Sequence, residues 1–214
     1  MLRMISPTLD SLDSIGLRHG TDKASAVHGF LSLYEGFLHP YRSEPLSVLE
    51  IGVHEGASVR TWEEYFPVGR IVGVDIRPEA RRHASERIHI EIADQSDPQD
   101  LVTIGARLGP FDLILDDGSH LWEHQILSFQ LLFPFVKPSR WYVLEDINTS
   151  FGIFVPDYQG QATTSAASYV FRLAEQVIAA GADSSPSSDP FIRSYSRAIE
   201  AITLAPKTCI MKKR

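Results

Sequence analysis

The chain has a single cysteine, Cys209, in 214 residues, so no disulfide can form within it. Long apolar runs are equally lacking. Stretches such as Leu131-Leu132-Phe133 fall far short of the ~20 residues that crossing a bilayer requires. No basic start leads into an apolar segment, so secretion is not expected and the protein reads as soluble and cytoplasmic. Positive charge is also scarce: 20 Lys and Arg face 27 Asp and Glu, a net charge of −7. That balance leaves no cationic footprint for nucleic acid or an anionic membrane, and points to a small molecule or a protein as partner. Internal repeats and long low-complexity tracts are absent as well.

What is present is a globular composition. Apolar residues at 43% and charged residues at 22% exclude disordered, collagen-like and coiled-coil chains. Against a typical ~150 residues per domain, the length suits one medium domain with an N-terminal piece. We divide it into a helical cap over 1–45 and a ligand-binding domain over 46–214.

From Leu46 onward short β-branched runs alternate with helical spacing, which predicts an α/β fold with a mostly parallel sheet covered on both faces. The expected strands are 47–51, 71–75, 88–92, 111–115 and 141–145, most with apolar residues on consecutive positions. Helical spacing is found over 58–65, 97–106 and 122–135, and in the cap over 9–17 and 24–38. A Ser/Pro-rich loop, 181–190, is expected to be mobile or ligand-facing. The segments 198–204 and 208–212 around Ala205-Pro206-Lys207 read as a closing antiparallel hairpin.

Two constellations carry chemistry. The first is Glu50-Ile51-Gly52-Val53-His54-Glu55-Gly56-Ala57-Ser58, a strand entering a glycine turn and then a helix, with Asp75 at the end of the next strand. Glycines let backbone approach a ligand, the helix N-terminus favours an anionic group, and a carboxylate at Asp75 suits ribose hydroxyls. A tight turn without a ligand is the competing explanation. The second is Asp116-Asp117-Gly118-Ser119-His120 with Glu145-Asp146 on the neighbouring strand. Four carboxylates and a histidine in one crevice are costly unless a cation neutralises them, and an oxygen-rich set suits Mg²⁺ or Mn²⁺. Pairing of these acids with Arg or Lys is the alternative. His120 and His124, spaced i, i+4 with Glu123 between them, also leave a zinc pair open.

Glu50-x-Gly52-x-x-x-Gly56 followed by Asp75 resembles motif I and its acidic partner in class I S-adenosylmethionine-dependent methyltransferases. Asp116 to His120, Glu145-Asp146-Ile147-Asn148-Thr149-Ser150-Phe151 and the upstream Gly20-Thr21-Asp22-Lys23 resemble, within that class, the metal-dependent macrolide-sugar O-methyltransferases. The likeness runs over roughly residues 20–212. It departs from that group in a short nucleotide loop carrying His54, and in Lys137-Pro138-Ser139-Arg140 where a Pro-Gly-Gly turn is usual.

The resemblance implies a doubly wound, Rossmann-like, seven-stranded sheet ending in the antiparallel hairpin. It also implies an O-methyltransferase that uses S-adenosylmethionine and Mg²⁺ or Mn²⁺ on a hydroxyl of a glycosylated natural product, with assembly into a homo-oligomer through the cap. The residues carried over are Glu50, Gly52, His54, Gly56, Ser58, Asp75, Asp94, Gln95 and Asp116 for the cofactor, Asp117, Glu145 and Asp146 for the metal, and His120 as general base. Asp94 and Gln95 are expected to read the adenine amino group, and Asp97 or Ser96 to cap the next helix. Tyr34, Trp62 and Trp122 are assigned to packing. A catechol or phenol O-methyltransferase, a non-catalytic nucleotide-binding module, and a metal-dependent hydroxylase or hydrolase stand as alternatives.

Overall fold

Along the first strand, β1 (Ser47–Ile51), all five residues are buried, with Val48 in the core on one side of the sheet and Leu49 in the core on the other. Successive side chains of a strand point to opposite faces, so only a sheet covered twice can bury such a run. The computed structural model describes residues 10–180 and 187–214. In it β1 is joined by β2 (Arg70–Asp75), β3 (Ile88–Ile92), β4 (Phe111–Asp116), β5 (Val136–Leu144), β6 (Ile199–Ala205) and β7 (Thr208–Lys213) in one seven-stranded sheet of order β3-β2-β1-β4-β5-β7-β6. β1 to β5 run parallel, and β7 is antiparallel to both β5 and β6. The order reverses at β1, with β2 on one side and β4 on the other, and a crevice opens at such a switch point.

Helices α1 (Leu12–His19), α2 (Phe30–Leu38) and α3 (Ala57–Tyr65) supply one core with Leu12, Ile15, Leu31, Tyr34, Val59 and Trp62. On the opposite face α4 (Pro98–Leu108), α5 (Trp122–Leu132), α7 (Ala166–Ile178) and α8 (Pro190–Tyr195) contribute Leu101, Phe129, Leu173 and Ile192. A one-turn helix, α6 (Val155–Tyr158), lies between α5 and α7 in the chain. Asp97 caps α4 by accepting from the Gln99 amide, as expected. Cys209 is buried on β7, where burial pushes its thiol up to about 12. Among the described residues no helix is long and apolar enough to cross a membrane.

The structure differs from the periodicity in three places. The helix expected over 24–38 begins only at Phe30, because Gly29 takes a left-handed conformation (φ 72°) and the preceding residues close a turn, His28 N donating to Asp22 O (2.9 Å) and Gly29 N to Ala24 O (3.0 Å). The helix expected over 122–135 ends at Leu132, where a 3₁₀ turn carries Pro134. Strand β5 starts at Val136 rather than Trp141, with a register shift against β4. Residues 181–186 of the Ser/Pro-rich loop, and Leu9 of the first expected helix, lie outside the described residues.

The unusual Lys137–Arg140 stretch has a partner. Asp112, 3% exposed, accepts from Lys137 Nζ (2.7 Å), Arg140 Nε (3.0 Å) and the Ser47 amide (2.8 Å), tying the starts of β1, β4 and β5 together. Burial alone would raise its pKa, but the two cations and the amide outweigh it and hold the carboxyl below its ordinary value. The group therefore contributes stability in full above the ordinary carboxylate value of ~4, and loses it as pH falls through the lower folded value. Asp112→Ala is expected to cost about 2–4 kcal/mol, roughly 5–12 °C in Tm for a chain of this size. In calorimetric melts from pH 7 to 3, the gap to the unsubstituted protein should narrow below about pH 4.

Candidate active site

The loop after β1 is shaped by one glycine. Gly52 has φ 95°, a region that L side chains rarely adopt, and a Cβ there would be driven into the carbonyl group of Asp117, whose carbon lies 2.8 Å away. Asp117 N in turn donates to Ile51 O (3.0 Å). The chain then bends through His54 (φ 49°) and Gly56 (φ 74°) into α3. The amides of Val53 (3.1 Å) and His54 (2.9 Å) donate to Asp75 Oδ2, while Arg77 donates from its amide (2.9 Å) and its Nε (3.2 Å) to Oδ1. Burial would raise the Asp75 pKa, but these donors outweigh it and keep the group low, so it stays an anion.

Over this turn lies a cleft of about 720 Å³, a size that suits a cofactor. Of the residues expected around the cofactor, Gly52, His54, Ser58, Asp75, Asp94 and Gln95 line it. Glu50, Gly56 and Asp116 do not. Glu50 is fully buried behind the turn and accepts from Ser58 Oγ (2.8 Å); burial pushes its carboxyl up to about 7. Asp116, also fully buried, accepts from Gln95 Nε2 (2.7 Å) and Tyr142 OH (3.3 Å), and burial pushes it up to about 7. The Gln95 amide also donates to Ser128 Oγ (2.9 Å) and accepts from the Ser119 amide (2.9 Å). Its polar atoms are thus committed to the protein, and Asp94, on the cleft wall, accepts from the Ser96 amide (2.8 Å), which holds its carboxyl low.

The second constellation meets the same cleft at the ends of β4 and β5. Asp117, His120 and Asp146 line it and bring their ligand atoms within 4.8 Å of one another. His120 Nε2 stands 3.8 Å from Asp117 Oδ1 and 3.7 Å from Asp146 Oδ2. His120 (φ 59°) and Asp146 (φ 52°) both hold left-handed backbone, a strain of about 1–3 kcal/mol each that the surrounding structure must outweigh. His120 Nδ1 is buried with no hydrogen-bond partner among the described residues. The imidazole of His124 instead bonds to Ser119 Oγ (2.8 Å) and the Glu123 carboxylate to the Gln161 amide (2.9 Å), so the zinc pair is not assembled.

Glu145 faces the other way. It is 1% exposed, accepting from Lys23 Nζ (2.6 Å) and Tyr34 OH (2.9 Å), with its backbone carbonyl taken by Gln125 Nε2 (2.8 Å). Lys23, also 1% exposed, pairs in addition with Asp117 Oδ2 and lies 3.4 Å from Glu50 Oε1. Burial alone would drive its proton off, but the three carboxylates overcome that and hold its pKa well above the ordinary value. Burial raises the Glu145 pKa, and Lys23 opposes that rise.

Lys23 was singled out only as part of Gly20–Lys23, and Tyr34 only as packing. One signal stood in the sequence: Lys23 is the sole lysine of the first 136 residues in a chain rich in arginine. An ammonium is the smaller cation, and it fits where several carboxylates crowd. Tyr34 does pack, stacked on Phe30, yet its hydroxyl also serves Glu145.

No protein-family model matches the chain. It is 40% identical over 156 residues, 70% of its length, to the 8-demethyl-8-α-L-rhamnosyl tetracenomycin-C 2′-O-methyltransferase of Streptomyces olivaceus, covering 40% of that protein. It is 42% identical over 153 residues, 68% of its length, to the demethylmacrocin O-methyltransferase of Streptomyces fradiae, covering 38% of that protein. A solved structure of the MycE methyltransferase of the mycinamycin pathway, in complex with Mg, S-adenosylhomocysteine and mycinamycin VI, superposes over 96% of the chain with a TM-score of 0.82 at 30% identity, and the chain covers 55% of it. The chain thus spans about two fifths of the length of the two curated relatives.

Proposed function

The chain belongs to the class I S-adenosylmethionine-dependent methyltransferases, beside those that methylate sugars of macrolides, and from that premise we propose that it moves a methyl group to a hydroxyl of a small glycosylated acceptor, with His120 as general base. The observation that carries this reading is the opening of the Asp117–His120–Asp146 group into the same cleft as the glycine turn and Asp75. The donor set fits a hard divalent cation: two half-buried carboxylates point at one spot, and a cation there offsets charge that would otherwise be costly. Asp117 and Asp146 would hold it, with Glu145 behind them. S-adenosylmethionine supplies an electrophilic methyl group, and a divalent cation supplies the polarisation that makes a hydroxyl acidic.

The protein's own part is alignment and proton handling. Asp75, fixed by the Val53 and His54 amides, and the glycine turn at Gly52 would seat an adenosyl group across the strand ends. Holding the acceptor oxygen in line with the methyl carbon turns a bimolecular displacement into an oriented one. As that oxygen gains the methyl group, the leaving sulfur keeps the bonding pair and His120 Nε2 takes the hydroxyl proton. Asp117 Oδ1 and Asp146 Oδ2, 3.8 and 3.7 Å from that nitrogen, place the base at the edge of the candidate cation site.

S-adenosylhomocysteine needs no acceptor, and calorimetric titration with it tests the reading directly. One-site micromolar binding is expected, with methyl transfer to rhamnosyl glycosides that stops in excess EDTA and returns with Mg²⁺. A folded sample that binds no S-adenosylhomocysteine overturns the reading; full transfer in EDTA overturns the metal's part in it.

A further inference from the structure

Asp117 divides its carboxylate between two environments. Oδ1 faces His120 in the cleft, while Oδ2 is paired with the ammonium of Lys23 on the inner side. That ammonium is 1% exposed and arrives from the 21–29 turn, 94 residues earlier in the chain. It also takes Glu145 Oε2 at 2.6 Å and approaches Glu50 Oε1 at 3.4 Å, so one cation touches carboxylates from β1, from just past β4 and from just past β5. Residues just before it, Gly20, Thr21 and Asp22, line the cleft. A lone buried ammonium is costly, and so are two buried carboxylates beside a half-buried third; each arrangement persists here because the other offsets its charge.

We propose that Lys23 is a positioning residue: by holding Asp117 Oδ2 and drawing Glu145 inward, it aims Asp117 Oδ1 into the cleft with Asp146 and His120, and so sets the affinity of that cluster for a divalent cation. The inference rests on the metal-dependent reading above and assigns Lys23 no contact with acceptor or cofactor. Partners one step behind a metal ligand fix the ligand's direction, and losing one typically weakens metal binding about 10- to 100-fold. Without Lys23, Asp117 would be repelled by Glu145 and Glu50 and free to turn, because nothing else among the described residues pairs with Oδ2.

The test is a double-substitution cycle read by Mn²⁺ electron paramagnetic resonance and by S-adenosylhomocysteine calorimetry, with circular dichroism as the check on folding. Lys23→Met is expected to weaken Mn²⁺ binding at least about tenfold while changing S-adenosylhomocysteine affinity less than about threefold. Asp117→Asn should weaken Mn²⁺ similarly, and adding Lys23→Met to it should cost little more, since the lysine acts through Asp117. If Lys23→Met fails to fold, Lys23→Met with Glu50→Gln removes one charge of each sign, and Glu50→Gln alone is its reference. Folded Lys23→Met protein that binds Mn²⁺ as tightly as the unsubstituted chain, or tighter, overturns the proposal, as does additivity with Asp117→Asn. Should the unsubstituted protein bind neither Mn²⁺ nor S-adenosylhomocysteine, the methyltransferase reading fails instead.

Discussion

His120→Ala is expected to reduce methyl transfer about 10²- to 10⁴-fold, the range that a positioned general base contributes, while S-adenosylhomocysteine affinity changes little. The separation follows from the geometry. His120 Nε2 addresses the carboxylates of Asp117 and Asp146, 3.8 and 3.7 Å away, whereas the adenosyl group is proposed to sit against Gly52, Asp75 and Asp94 on the wall of the same cleft. Transfer of a labelled methyl group to a glycoside, run beside the calorimetric titration, checks both halves. Equal loss of turnover and of S-adenosylhomocysteine binding would refute the base assignment and leave His120 as a wall of the cleft.

Gly52→Ala should have the second large effect, and it should strike both halves of the site at once. The new methyl group would meet the Asp117 carbonyl, and its backbone would have to hold φ 95° against its own side chain. Relief requires moving either the Gly52–Gly56 turn or the start of the Asp117–His120 loop. Each is pinned, Gly52 N to Val74 O (2.8 Å) and Asp117 N to Ile51 O (3.0 Å). We expect S-adenosylhomocysteine and Mn²⁺ affinities to fall together, each by more than about tenfold, since about 1.4 kcal/mol is a factor of ten and strain of this kind exceeds that. Loss of only one of the two affinities would show that the turn and the proposed metal site are not coupled through this contact. Lys23→Met makes the complementary split, lowering Mn²⁺ affinity alone.

Much of the architecture was legible in the sequence because fully buried parallel strands leave a plain mark. Val48-Leu49, Ile71-Val72 and Leu113-Ile114-Leu115 are apolar on successive positions, and each became a strand buried on both faces. Helix boundaries were less legible, since periodicity continues past a break: the 24–38 pattern runs straight through Gly29, which only the observed turn identifies as left-handed. The departure at Lys137–Arg140 had no visible purpose in the sequence. It acquires one from Asp112, 25 and 28 residues away, through hydrogen bonds that chain order does not announce.

The sequence by itself determined which chemical groups this protein brings to the end of its sheet: a glycine turn, a ribose-suited carboxylate, and two acidic pairs with a histidine. These follow from local rules, because a strand end and the turn after it are set by residues within a few positions of each other. Tertiary structure alone decided where each acid points. Glu145 and Asp146 are neighbours in the chain, yet Glu145 is buried against Lys23 and Tyr34 while Asp146, in left-handed backbone, faces the cleft. Whether a carboxylate greets solvent, a cation or a lysine depends on the dielectric and the partners around it. Those come from segments 94 and 122 residues distant, which only the folded chain brings together.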